Sequence, residues 1–275
     1  MIYMVTLIII LATVFALGVL FLLSLMGRSK HPGMADLRGH AYAHRGLHGK
    51  GIPENSMAAF KAALDGGYGI ELDIHLIKDG NLAVLHDSSL KRTAGADVKI
   101  TELTTAQLSD YTLEGTSETI PTFDQVLKLY NGKKPLIIEL KADGSNQRAL
   151  VAAAVKAMEG YCGKYCMESF DPRCVYWLKK DFPHIIRGQL TENYFKTKNK
   201  LPAVLKFLLR HNMLNFITRP DFVSYRFSDR KDTVTNSLCR KLWHLEGVTW
   251  TLRSQEEYND AVKEGWLPIF ENFTP

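Results

Sequence analysis

A long unbroken apolar run, followed by short apolar runs in two alternating rhythms, divides the chain. From Ile2 to Met26 the residues are apolar with few interruptions, and the first 27 residues carry no ionised side chain. A helix rising 1.5 Å per residue over that length spans a hydrocarbon core of roughly 30 Å. From Ala41 onward, short apolar or alternating runs of strand type end near His44, Asp73, His86, Glu139, Ser169, Gln189, Tyr225, Thr251 and Phe270. Helix signals separate them. Asn55 or Ser56 caps a segment with Met57, Phe60 and Leu64 on one face, closed by Gly66-Gly67, and Thr122…Gln125 and Ser254…Glu257 have capping-box spacing. Asp171-Pro172 reads as a cap and first turn, and Asn146 to Glu159 carries an apolar stripe closed by Gly160. Strand–helix alternation over about 235 residues predicts an α/β fold, a (β/α)8 TIM barrel with a parallel sheet closed by helices. The surplus strand is the one ending at His86. Lys78-Asp79-Gly80-Asn81 is a tight reversal, so that strand returns antiparallel and brings His86 roughly opposite Asp73.

Chemistry concentrates on this hairpin. Alternation puts Glu71, Asp73 and His75 on one strand face, and with His86 they gather two carboxylates and an imidazole at one place. Taken alone, alternating charges describe the wet face of a half-buried strand equally well. Other segments add to the picture. Ala43-His44-Arg45-Gly46 ends a short strand and is followed by the loop Pro53-Glu54-Asn55-Ser56. Pro135-Leu-Ile-Ile-Glu139-Leu-Lys141 is a buried-type strand whose charges appear only at its far end, where parallel barrels keep their chemistry.

These pieces in this order resemble the glycerophosphodiester phosphodiesterase family over nearly the whole chain from Ala41. The resemblance extends through Leu90-Lys-Arg92-Thr93, Ile120-Pro121-Thr122, Ser169-Phe170 and Trp250-Thr251. It implies a metal-dependent hydrolysis of glycerophosphodiesters to glycerol 3-phosphate and an alcohol. It assigns Glu71, Asp73 and Glu139 to a divalent ion, Ca2+ or Mg2+, and His44 and His86 to proton transfer. Hard oxygen ligands suit those ions. Arg45 and Lys141 then face the substrate phosphate, and Glu54, Asn55 and Trp250 shape the site. Two stretches depart from the family pattern: Leu252-Arg253 after Trp250-Thr251, and Phe270-Glu271-Asn272-Phe273 at the last strand. Both are expected to lie away from the catalytic set and to alter contacts at the substrate end. His75 is expected on the strand face or behind the ligands rather than among them.

The resulting domain plan is an anchor over residues 1–27, a linker over 28–40 and the barrel over 41–275. Residues 88–120 form an insertion over the active-site mouth, with no chemically compelling residue in it. An uncleaved anchor is favoured over a signal peptide because no basic residue precedes the apolar run and Ser24-Leu-Met26-Gly27 is a poor cleavage site. Arg28, Lys30 and Arg38 follow the span, which by the positive-inside tendency puts the barrel on the cytoplasmic side of the cell membrane, single-pass. Lys196 to Arg210 holds five Lys or Arg and no acid. It fits a barrel helix packing its apolar side on the strands, with an amphipathic helix on an anionic membrane as the alternative. The four cysteines are expected reduced and buried.

A net charge of +5 fits a phosphate-handling or membrane-facing protein, and nothing in the chain resembles a nucleic-acid module. The expected partners are a soluble or lipid-derived glycerophosphodiester and the membrane. Two rivals stand beside this reading: phospholipase C/D-type cleavage of a lysophospholipid, and a membrane-tethered binding protein without catalysis. The second would be expected to have lost at least one of His44, Glu71, Asp73, His86 and Glu139, and all are present.

Overall fold

A computed structural model describes all 275 residues. The strands are β1 (Tyr42–His44), β2 (Gly69–Leu76), β3 (Leu82–Val84), β4 (Leu136–Leu140), β5 (Tyr165–Ser169), β6 (Arg187–Thr191), β7 (Phe222–Arg226), β8 (Glu246–Leu252) and β9 (Leu267–Phe270). Eight of them form a closed parallel barrel, because β1 pairs with both β2 (Tyr42↔Gly69) and β9 (Tyr42↔Ile269). β3 is the antiparallel exception, paired to the far end of β2 through Ile74↔Val84 and His75↔Ala83. The hairpin read from the turn residues is present. In that register the Leu85 N–H reaches the Asp73 carbonyl at 3.1 Å, so His86 stands one residue beyond the position opposite Asp73.

The helices are α1 (Ile2–Ser24), α2 (Met57–Asp65), α3 (Lys91–Ala94), α4 (Phe123–Tyr130), α5 (Gln147–Ala157), α6 (Pro172–Asp181), α7 (Ala203–Arg210), α8 (Asn215–Thr218), α9 (Thr235–Lys241) and α10 (Gln255–Lys263). Their starts follow the capping residues. Ser56 accepts from the Ala59 N–H at 3.1 Å, and Thr122 and Gln125 form a reciprocal box. At α10 only half of the expected box forms: Ser254 accepts from Glu257 N–H, while the Glu257 carboxylate turns to the Arg253 N–H at 2.7 Å. The main core lies between strands and helices, with Phe60, Phe123, Tyr130 and Ile138 wholly buried. Each such side chain contributes about 1.5–3 kcal/mol by leaving water.

Residues 28–40, expected as a linker, are packed against the N-terminal ends of the strands. A 3₁₀ turn over Pro32–Leu37 inserts Met34 and Leu37 into a cluster with Tyr42, Phe222 and Val248, and the Tyr42 hydroxyl donates to the Leu37 carbonyl at 2.7 Å. Arg28 pairs with Asp221 at 2.5 Å, and Arg38 pairs with Glu246. The turn closes the barrel floor because strand starts leave apolar interior positions that something must cover.

α1 is long and apolar enough to cross a membrane, and none of its residues is buried. Its last turn touches the barrel beside α8. Leu25 is buried with Val223, Cys239 and Leu245, and the Trp243 indole donates to the Leu22 carbonyl at 3.0 Å. The expectation that α7 packs its apolar side inward is not met, since Leu209 is its one buried residue while Val204 and Phe207 face outward. Residues 88–120 build a small core of their own from Leu90, Ile100, Leu103, Leu108 and Leu113. Cys166, Cys174 and Cys239 are buried free thiols, whereas Cys162 is exposed, contrary to expectation.

Candidate active site

Strand register assembles the site. His44 lies opposite Glu71 across β1 and β2, Asp73 opposite Glu139 across β2 and β4, and Glu139 opposite Glu168 across β4 and β5. Alternation along β2 aims Glu71 and Asp73 the same way. Oxygens of Glu71, Asp73 and Glu139 consequently fall within 4.8 Å of one another, all three buried.

Cations and amides surround these carboxylates. The Lys141 Nζ lies 2.8 Å from Glu139 Oε1 and 3.1 Å from Asp73 Oδ1. Asn55 Nδ2 donates to Asp73 Oδ2 at 2.8 Å. Arg45 donates its backbone N–H to Glu71 at 3.2 Å and its guanidinium to Glu54 at 2.9 Å, with Nε 3.6 Å from Asp73. Both Arg45 and Asn55 adopt positive φ, which turns the loop so that these donors point at the acids. Gly46 beside them has no room for a side chain, since a Cβ there would stand 2.8 Å from the Ala59 backbone.

The two histidines are held alike. His44 Nδ1 is 2.9 Å from Glu271 Oε2, and His86 Nδ1 is 2.6 Å from Asp87 Oδ1. Each carboxylate fixes the ring and its tautomer, leaving Nε2 for chemistry. Asp87 is in turn held by Arg92 at 2.6 Å, which also reaches Glu54 at 2.6 Å. Both histidines line one small cleft with Glu71, Glu139, Phe170 and Trp250. Phe170 and Trp250 pack edge to face there with centroids 5.5 Å apart, and the Trp250 indole N–H has no protein partner.

Burial sets the charge states. It raises Glu71 well above the usual carboxylate range, helped by the neighbouring Asp73 and Glu139. It also raises Glu139, to about 7 despite Lys141. At Asp73 burial is outweighed by Lys141, His86, Arg45 and the Asn55 amide, so its carboxyl falls well below the ordinary value. Desolvation lowers His44 to about 4 against the pull of Glu271, and lowers His86 against Asp73. The His44 ring is therefore neutral near pH 7.

The three acids fit a divalent cation of the calcium or magnesium class. They are oxygen donors at one point, with Lys141 the cation on Asp73 Oδ1, and their mutual repulsion resists full ionisation without further positive charge.

The structure brings together all of the residues expected at the site: His44, Arg45, Glu54, Asn55, Glu71, Asp73, His86, Glu139, Lys141 and Trp250. One expectation is overturned. Glu271 and Arg253 do not lie away from the catalytic set, since Glu271 bonds His44 and Arg253 pairs with Glu271 at 3.2 Å. Arg92, in the stretch expected to hold nothing compelling, clamps Asp87 and Glu54. Buried Glu168 beside Glu139 also went unread, although its position before Ser169-Phe170 at a strand end was a signal. His75 is buried, 3.4 Å from the His86 carbonyl, and stands outside the carboxylate cluster as expected.

Comparison with known proteins gives a consistent picture. The model of the glycerophosphoryl diester phosphodiesterase family matches residues 44–270. A glycerophosphodiester phosphodiesterase of Caldanaerobacter subterraneus subsp. tengcongensis is 33% identical over 158 residues, 54% of this chain and 65% of that protein. A lysophospholipase D of Rattus norvegicus is 32% identical over 127 residues, 42% of this chain and 40% of that protein. The chain thus spans less than two-thirds of the length of these curated relatives. A solved phosphodiesterase of Oleispira antarctica, in complex with the product sn-glycerol-3-phosphate, matches with a TM-score of 0.71 at 21% identity. That match covers 90% of this chain and 96% of the other, and at this identity it speaks for the fold.

Proposed function

The chain belongs to the glycerophosphoryl diester phosphodiesterase family, and from that membership we propose that it hydrolyses glycerophosphodiesters to glycerol 3-phosphate and an alcohol, with His44 and His86 as the proton-transfer pair. The observation that carries the reading is the pair of imidazoles, each anchored through Nδ1 to a carboxylate, beside three clustered buried acids. A phosphodiester monoanion repels nucleophiles and loses an alkoxide poorly, so it needs positive charge and a delivered proton. Glu71, Asp73 and Glu139 would hold a divalent cation, which would supply Lewis-acid charge to the phosphate. One histidine Nε2 takes the proton of the attacking water, or of a substrate hydroxyl that closes a cyclic phosphate which water then opens, as the new P–O bond forms. The other, entering as the imidazolium, gives its Nε2 proton to the departing alcohol oxygen as the old P–O bond breaks, each transfer contributing roughly 10²–10⁴-fold. His44, held neutral by burial, suits the base. Lys141 and Arg45 keep the acids oriented and add fixed positive charge around the phosphate.

α1 is the proposed single-pass anchor over residues 1–27, with the catalytic unit over 41–275 and the basic residues Arg28, Lys30 and Arg38 on the cytoplasmic side. The anchor and the apolar wall of Phe170 and Trp250 favour a second substrate reading, lysophospholipids as the diester. Product analysis separates the possibilities. With glycerophosphocholine the expected products are glycerol 3-phosphate and choline, whereas phosphocholine release contradicts the proposed bond cleavage. With lysophosphatidylcholine, choline release supports the second reading and its absence removes it.

A further inference from the structure

α1 meets the barrel through its last turn and α8, and α8 packs on α6. The surface running outward from that contact differs from the rest of the barrel wall. Phe216 and Ile217 of α8 are 47% and 40% exposed, large apolar side chains with nothing over them. Between α8 and α6 runs an open apolar groove walled by Tyr176, Trp177, Leu214 and Ile217. Around it stand cations. The Lys180 Nζ is 5.0 Å and the Arg148 guanidinium 4.5 Å from the centroid of the Trp177 ring, while Lys179 donates to the Ile217 carbonyl at 2.6 Å. Burial lowers the Lys179 pKa, and the nearby Arg219 and Arg187 push the same way. The carboxylates at the two ends of α6 are already engaged, the N-cap Asp171 by Arg173 at 2.7 Å and Asp181 by Arg148 at 2.9 Å. No Asp or Glu occurs from Asn193 to Pro220.

We infer that the α6–α8 face is a docking surface for an anionic phospholipid bilayer, seating Trp177, Tyr176, Phe216 and Ile217 at the headgroup level beside the point where α1 leaves the membrane. The inference rests on α1 being a membrane span and goes beyond it, since a tethered barrel could tumble freely. Continuity with the anchor places the face at the bilayer: Leu22 and Leu25 at the base of α1 touch Trp243 and Asn215, so α8 sits within a turn of the span's end. Aromatic rings with a polar edge and lysines with long stems are the side chains that settle at a membrane–water boundary. The unpaired Lys179, Lys180 and Arg219 match anionic headgroups, and the groove matches the upper part of an acyl chain. Docking there would fix the barrel's orientation relative to the membrane.

The test uses the full chain reconstituted into vesicles of mixed phosphatidylglycerol and phosphatidylcholine, with bromine-labelled acyl chains as a quencher of tryptophan emission. Of the four tryptophans, Trp177 and Trp243 lie on the proposed face or at the anchor, whereas Trp250 lines the catalytic cleft and Trp266 is buried. Trp177→Phe should therefore remove about half of the quenchable emission, the share of one of two residues at the aromatic belt. A second variant, Lys179→Gln with Lys180→Gln and Arg219→Gln, should reduce the Trp177 share of the quenching in phosphatidylglycerol vesicles while turning over soluble glycerophosphocholine at the wild-type rate. Equal quenching in wild type and Trp177→Phe overturns the docking surface. Extraction of the wild-type chain from the vesicles by alkaline carbonate reports separately on the anchor. Release means that α1 does not span, and retention with unchanged quenching means that the barrel does not dock.

Discussion

Replacing Glu271 by Gln isolates the contribution of the carboxylate behind His44. The amide fills nearly the same space and can still accept from the ring N–H, so the 2.9 Å contact persists while its charge is lost. A hydrogen bond to a charged group contributes roughly 1.5–3 kcal/mol more than its absence, and the neutral substitute recovers part of that. The contact matters to the extent that His44 gains positive charge during proton transfer, when the carboxylate attracts the imidazolium. A remaining loss of about 1–2 kcal/mol in the transition state corresponds to roughly 5- to 30-fold in kcat. KM for glycerophosphocholine should change little, because Glu271 acts through His44 and is a positioning residue. Arg253→Ala is the companion variant: it frees one side of Glu271, at 58% exposure of the Arg253 side chain, and should cost less than about threefold. The assay is steady-state release of glycerol 3-phosphate at saturating divalent ion. A Glu271→Gln enzyme within about twofold of wild type in kcat would refute the reasoning, since an oriented charge partner of a catalytic histidine cannot be that dispensable.

Other outcomes follow from the same geometry. Saturating Ca2+ or Mg2+ at about 100 times its Kd should stabilise the chain by about 2.7 kcal/mol, read as a rise in Tm, and Glu139→Gln should abolish most of that rise; an unchanged Tm in wild type would contradict the metal assignment. Lys141→Met leaves Asp73 and Glu139 buried without their shared cation and should destabilise the metal-free protein by roughly 3–5 kcal/mol in urea unfolding. Arg92→Ala should cost at most about 1 kcal/mol of stability because the side chain is 47% exposed, yet lower kcat by several-fold through Asp87 and His86. Glu271 is held down to about 2 by His44 against the cost of burial, so its contribution is complete above its ordinary value near 4.5 and lost as pH falls towards 2. The stability difference between wild type and Glu271→Gln should accordingly shrink over that window in acid titrations of Tm.

Much of this site could be read from the chain because barrel chemistry sits at strand ends, where a charge after an apolar run stands out. Glu71, Asp73 and Glu139 announce themselves by interrupting Ile and Leu, and period two sends the first pair the same way. The turn at Asp79-Gly80 made the antiparallel return of β3 legible, and the register places His86 within a residue of the expected position. Glu271 was missed for a topological reason. It lies 227 residues from His44, and only closure of the barrel between β1 and β9 makes them neighbours. The clamp of Arg92 on Asp87 and Glu54 was not legible because Glu54 belongs to another loop. The floor of the barrel was equally hidden, since Met34 and Leu37 are isolated apolar residues in a short polar stretch and show no period.

The central claim is that His44, His86 and the Glu71–Asp73–Glu139 cluster form one hydrolytic centre. Its most direct test is the single-turnover rate of glycerophosphocholine hydrolysis by the full chain, compared among wild type, His44→Ala, His86→Ala and wild type in EDTA. The account predicts rate losses of at least about 100-fold in each of the three impaired cases, with each variant retaining a divalent-ion shift in Tm. Wild-type rates in either histidine variant, or in EDTA, would contradict it.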